Sequence, residues 1–258
     1  MVYVILGMHK SGTTLVAQTL HRSGINMGDD LTDDDLDYGS EKSESRQARL
    51  INGQILDSAG KFSLDVIPTF EPEINLEAES QLRDFVTQQS QKYAKWGFKD
   101  PRTTLTYPVW RPLLGEHKLI LVYRPMEYVW RHYTRGLLRR FKPLSLKSLR
   151  KGIQAINAWV GYNTKLVELK EVGGVETCLL NYDLMMTDAS VLESLDRFTE
   201  TDLVDVRRGQ ALPLTGREQL VFRIHRFIYR IRFGGVQLRR VDQGLAFCHM
   251  QTQSSGLA

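Results

Sequence analysis

The chain carries two hydrophobic rhythms. Short, almost unbroken apolar runs fall at 2–6 (VYVIL), 96–98 (WGF), 117–123 (HKLILVY) and 177–182 (TCLLNY). Runs of this length with no polar alternation, rich in β-branched and aromatic residues, read as strands covered on both faces. Between them apolar residues recur every three or four positions. A helix is predicted from Thr13 through Leu15, Val16, Thr19 and Leu20. Others are predicted over 44–59 through Leu50, Ile51, Ile55 and Leu56, over 77–93 through Leu82, Phe85, Val86 and Gln89, and over 127–140. A longer one covers 146–170 through Ile153, Ile156, Trp159, Val160 and Leu166, and a short one covers 191–198. Two prolines place 62–72 in a loop. Strands alternating with helices predict an α/β fold of three layers around a mostly parallel central sheet. The alternation stops after Asp205. Beyond it Leu220, Ile224, Phe227, Ile228 and Ile231 recur at helical spacing, with Arg223, Arg226 and Arg230 on the opposite side. The chain therefore reads as one domain, a core over about 1–205 and a basic helical extension over about 206–258.

Composition narrows this picture slightly. With 258 residues, 42% hydrophobic and 25% charged, the chain suits a single soluble domain with a sizeable core. A formal charge of +4 favours an anionic ligand but is too small to point to nucleic acid. The acidic run over 29–37 reads as a solvated loop. Cys178 and Cys248 fit neither a disulfide framework nor a metal site, so both are expected as reduced thiols. His, Cys and acidic residues show no metal-ligand spacing, and no metal is expected. No basic leader precedes the first strand and no apolar run could span a bilayer, so a cytoplasmic location is expected. Oligomeric state is left open.

The chemistry concentrates in the first strand-to-helix turn, GMHKSGTTL, starting at Gly7. A helix N-terminus presents unpaired amides and the positive end of the helix dipole, and so holds an anion. Gly7 and Gly12 have the spacing of a nucleotide-binding loop, but Thr13 stands where that loop carries its lysine, and the lysine is displaced to Lys10. There it would lie beside an anion rather than over the end of a triphosphate. His9, Lys10, Ser11, Gly12, Thr13 and Thr14 are thus the anion-binding candidates. Arg124 joins them by position, at the carboxyl end of the strand over 117–123, where open α/β sheets bind ligands.

The stretch GMHKSGTTL resembles the 5′-phosphosulfate loop of sulfotransferases, which grips 3′-phosphoadenosine-5′-phosphosulfate (PAPS). Over about the first four-fifths of the chain further segments are similar to the bacterial members: WGFKDPRTTLTYPVW, KLILVYRPMEYVWRHY, LLNYDLMMTD and LESLDRFTE. The resemblance implies a fold of the P-loop NTPase type and a sulfuryl transfer from PAPS to a hydroxyl acceptor, without metal. It implies Lys10 as the cation at the bridging oxygen, Ser11 to Thr14 as donors to the 5′-phosphate, and Arg124 at the 3′-phosphate. Two departures stand out. Arg124 and Pro125 are adjacent, with no spacer. The serine of the following helix is missing, and its place falls on Arg131 or His132 depending on a one-residue deletion. Counting back from RLINGQIL puts Glu44 at the family's catalytic glutamate, with Glu41 and His21 as rivals for the general base. Asp100 and Arg102 are either an ion pair at a turn or acceptor-binding residues. The acceptor could be a small molecule, a glycan, a lipid or a peptide tyrosine. The rival readings are a nucleotide-dependent kinase with a degenerate loop, and a non-catalytic module that binds anions or membranes through the arginine-rich tail. That tail helix otherwise reads as a solvated or core-packing element.

Overall fold

The four apolar runs become four strands, β1 (Val2–Leu6), β2 (Trp96–Lys99), β3 (His117–Tyr123) and β4 (Glu176–Asn181). The structure is a computed structural model that describes residues 1–29, 44–58, 71–140, 145–207 and 213–254. The strands form one wholly parallel sheet in the order β2-β1-β3-β4. In register, Val2 lies opposite both Trp96 and His117, and Lys118 opposite Glu176. Side-chain alternation then sorts the strands into two cores. Val2, Val4, Leu6, Leu119, Leu121, Tyr123 and Leu179 face one way. Tyr3, Ile5, Ile120, Val122, Cys178 and Leu180 face the other.

The second face packs on α1 (Thr13–Arg22), α7 (Tyr182–Thr187) and α8 (Ala189–Thr199). The first is covered by α2 (Arg46–Ser58), α3 (Leu76–Lys92), α4 (Thr103–Trp110), α5 (Met126–Arg140), α6 (Leu146–Val172), α9 (Gly216–Phe233) and α10 (Val236–Ser254). The expected three-layer α/β arrangement is therefore present. Buried residues of α9 and α10, among them Val221, Tyr229, Leu238 and Val241, join the same apolar cluster as β1 and β3.

Three helices were not expected. α4 is rich in β-branched threonine and contains Pro108, so propensity argues against it; burial of Leu105, Tyr107 and Trp110 overrides that. α7 is a single short turn, started by the Asn181 side chain accepting from the amides of Asp183 and Leu184. α10 begins directly after Gly234 and Gly235 and buries Leu238, Val241 and Leu245 at regular helical spacing. From β1 the chain crosses to β2 on one side, and from β3 it crosses to β4 on the other. The divergence opens a crevice at the carboxyl ends of β1 and β3, where doubly wound sheets bind ligands.

Phe85 of α3 presents its ring edge-on to Trp96, Phe98 and Trp110 at 5.6, 6.0 and 6.1 Å, and Phe98 lies 4.5 Å from Trp110. This aromatic cluster fixes α3 and α4 on the β2 edge. Phe98→Ala should lower unfolding free energy by about 3–5 kcal/mol in chemical denaturation, without changing the slope of the transition.

Candidate active site

The loop after β1 turns sharply enough to need left-handed backbone at two positions, Lys10 (φ 68°) and Gly12 (φ 99°). Such residues, alternating with right-handed ones, turn successive amides toward one point and build an anion-binding nest. A side chain is unusual at such an angle outside sites where strain is kept for function. Ser11 N–H donates back to the Met8 carbonyl at 3.2 Å and closes the turn. Gly7 N–H donates to Thr104 Oγ1 at 2.8 Å, which ties the loop to α4. A Cβ at Gly12 would enter the ring of Tyr182, and one at Gly7 would meet the Val122 carbonyl. Both glycines are therefore fixed by space.

Polar atoms converge on this turn. Ser11 Oγ and His9 Nε2 are buried with no hydrogen-bond partner among the described residues. Burial pushes the His9 imidazole down to about 4. The cations of Arg102, Lys99 and Lys10 act in the same direction, against the opposing Asp100 carboxylate. His9 is thus neutral near pH 7. Lys10 itself is exposed.

The group that sequence reading passed over is Lys99, the last residue of β2. Its side chain is only 2% exposed. Nζ donates to Glu44 Oε1 at 3.1 Å and to Thr14 Oγ1 at 3.3 Å. Burial lowers the Lys99 pKa and the Glu44 carboxylate opposes that shift. One ammonium thus links the first turn of α1 to Glu44, two residues ahead of α2; between them Ser45 accepts from Ala48 N–H with its hydroxyl. A buried lysine at a strand end was detectable in principle from the unbroken WGFK run.

At the far side of the crevice, Arg124 follows β3. Its Nε donates to Asp183 Oδ1 at 3.2 Å, and its guanidinium lies 4.6 Å from the ring centre of Tyr182 and 5.1 Å from that of Tyr128. Trp159 Nε1 donates to the Arg124 carbonyl at 2.9 Å. Burial raises the Asp183 pKa against the nearby Arg124 charge, and Asp183 Oδ2 is buried without a partner among the described residues. Tyr182 touches both the loop glycine and this arginine, so one ring joins the two candidate ends of the site.

No family model and no curated protein matches the chain. Among solved structures, the chain is similar to the sulfotransferase domain from the curacin biosynthetic pathway, at 13% identity and a TM-score of 0.45, over 84% of this chain and 81% of that one.

The remaining candidates are distributed unevenly. Asp100 is fully buried and forms an ion pair with Arg102 through Oδ2 at 2.9 Å, and Asn52 Nδ2 donates to the same oxygen at 2.9 Å. The pair stands at the start of α4, and both charges act on His9. Arg131 is held by Glu218 of α9 at 3.2 Å. His132 is exposed and meets Tyr133 edge-on at 5.5 Å. His21 lies at the opposite end of α1 from the loop and accepts from Met27 N–H at 3.2 Å, so it is not brought to the crevice. Glu41 lies outside the described residues. No group of three or more metal-ligating side chains occurs among the described residues.

His9 gives a pH signature. Its folded pKa lies below its unfolded value, so between about 6.5 and 4 the unfolded chain binds the extra proton. Stability contributed by neutral His9 is complete above that window and is lost as pH falls through it. Denaturation midpoints of the wild type should drop more steeply from pH 7 to pH 4 than those of His9→Gln; parallel curves would refute the assignment.

Proposed function

We propose that the protein transfers a sulfuryl group from PAPS to a hydroxyl acceptor and releases 3′,5′-ADP. The observation that carries this reading is the joint placement of Lys10 on the anion-binding turn and of the buried Lys99–Glu44 pair beside Thr14. The residues fit a phosphosulfate. The turn is a cradle that a Cβ at Gly7 or Gly12 would fill, Ser11 Oγ is buried without a partner among the described residues, and the first-turn amides at Thr13 and Thr14 have no helical carbonyl to meet. Arg124, positioned by Asp183 and two tyrosine rings, would take the 3′-phosphate, with Arg131 or His132 on the next helix as further contacts.

Sulfuryl transfer is in-line, like phosphoryl transfer. The acceptor oxygen forms a bond to sulfur while the bond from sulfur to the phosphate oxygen breaks, and charge accumulates on that oxygen. Lys10 and the amino end of α1 would stabilise it. Glu44 would accept the acceptor's proton. Lys99 would fix the carboxylate's orientation through its hydrogen bond to Oε1. Small alcohols, glycans and lipids are all suitable acceptor classes for a hydroxyl attack of this kind.

Incubation with PAPS and a metabolite extract, followed by mass spectrometry, should reveal a product heavier by one sulfuryl group; turnover of ATP in its place would make the protein a kinase. In calorimetry without magnesium, 3′,5′-ADP should bind more tightly than 5′-AMP or ATP. Arg124→Ala should weaken 3′,5′-ADP by roughly tens to thousands of fold and scarcely touch 5′-AMP. Equal weakening of both would remove the 3′-phosphate from Arg124.

Glu44→Gln should lower kcat by roughly 10²–10⁴ while 3′,5′-ADP affinity holds. Unchanged kcat in this variant would move the base elsewhere.

A further inference from the structure

Helix α9 carries two apolar stripes, and the fold buries the one that the repeat of Leu220, Phe227 and Ile231 does not mark. Val221, Phe222, His225 and Tyr229 face the core. Leu220, Phe227 and Ile231 are 60%, 63% and 71% exposed. The expectation that Arg223 and Arg230 oppose this stripe is corrected with it. At spacings of three and four residues they lie on the same outward side and are exposed, as is Arg217. Among the described residues no acid pairs with Arg223 or Arg230. Glu218, the one acid of α9, accepts from the Thr215 amide and pairs with Arg131. Asp242 of α10 pairs with Arg226 at 2.7 Å.

An outward apolar strip edged by arginines is the arrangement that settles into the boundary between headgroups and acyl chains, with apolar side chains inserted and guanidinium groups turned to phosphates. A second copy of the chain is disfavoured as occupant, because a two-fold contact would set Arg223 and Arg230 against their own counterparts. Nucleic acid would match the arginines and leave Phe227 and Ile231 unused. We infer that the outward face of α9 docks the protein on an anionic membrane surface. The inference is independent of the catalytic reading.

The test is flotation of the full chain with vesicles of phosphatidylcholine alone and of phosphatidylcholine mixed with phosphatidylglycerol. The wild type should float with the anionic vesicles, and less so as salt rises. Arg223→Gln with Arg230→Gln should weaken binding by roughly tenfold or more. Phe227→Ser with Ile231→Ser should weaken it by at least about tenfold. All four positions are exposed, and an unchanged circular dichroism melt confirms that the variants fold. Absence of flotation, or flotation that survives both double variants, overturns the proposal. So does a concentration-dependent dimer in sedimentation that the serine pair abolishes while vesicle binding is absent, since the face would then be a contact between copies.

Discussion

A lysine ammonium buried at the end of a strand is the constraint from which the site follows. Removing such a charge from water costs several kcal/mol unless partners replace the solvent. Lys99 finds them in Glu44 and Thr14. To supply Glu44, the chain entering α2 must approach the carboxyl end of β2; to supply Thr14, α1 must begin within reach of the same point. The electrostatic need of one side chain thus brings three segments that are distant in sequence to one edge of the crevice. The same cation adds to the field that keeps His9 neutral.

The opposite edge obeys a similar rule with different partners. Arg124 is stacked against two tyrosine rings and anchored through one nitrogen. A guanidinium held this way would lose little further freedom to an anion, because its plane is already set. Between these edges, Ser11 Oγ and Asp183 Oδ2 remain buried without partners among the described residues, which marks the crevice as a place where polar capacity is held for something beyond the fold.

Much of this was legible in the chain. The strands are covered on both faces, so they declare themselves as unbroken apolar runs, and the glycine turn between β1 and α1 lies where its spacing put it. The charged residues at the end of β2 precede or follow Pro101, which disfavours helix and marks a turn, and that local signal is silent on the burial of Lys99 and Asp100. Helix α4 was missed because its threonines and proline disfavour helix locally, and tertiary packing decides otherwise. For α9 the period was correct, and the placing of Arg223 and Arg230 opposite the apolar repeat was not. With apolar residues on both sides, periodicity cannot tell which stripe meets the core, and the choice falls to Trp130 and Gly152, against which Phe222 and His225 pack.

The contact between Gly12 and Tyr182 has an evolutionary consequence. The ring occupies the volume that any side chain at position 12 would need, and the same ring lies against Arg124. Neither position can drift alone. A larger residue in the turn demands a smaller one at the start of α7, and that replacement would withdraw the aromatic support of the arginine. Among descendants of this chain, substitutions at these three sites should therefore arrive together or not at all, linking the histories of segments that lie at opposite ends of the core sequence.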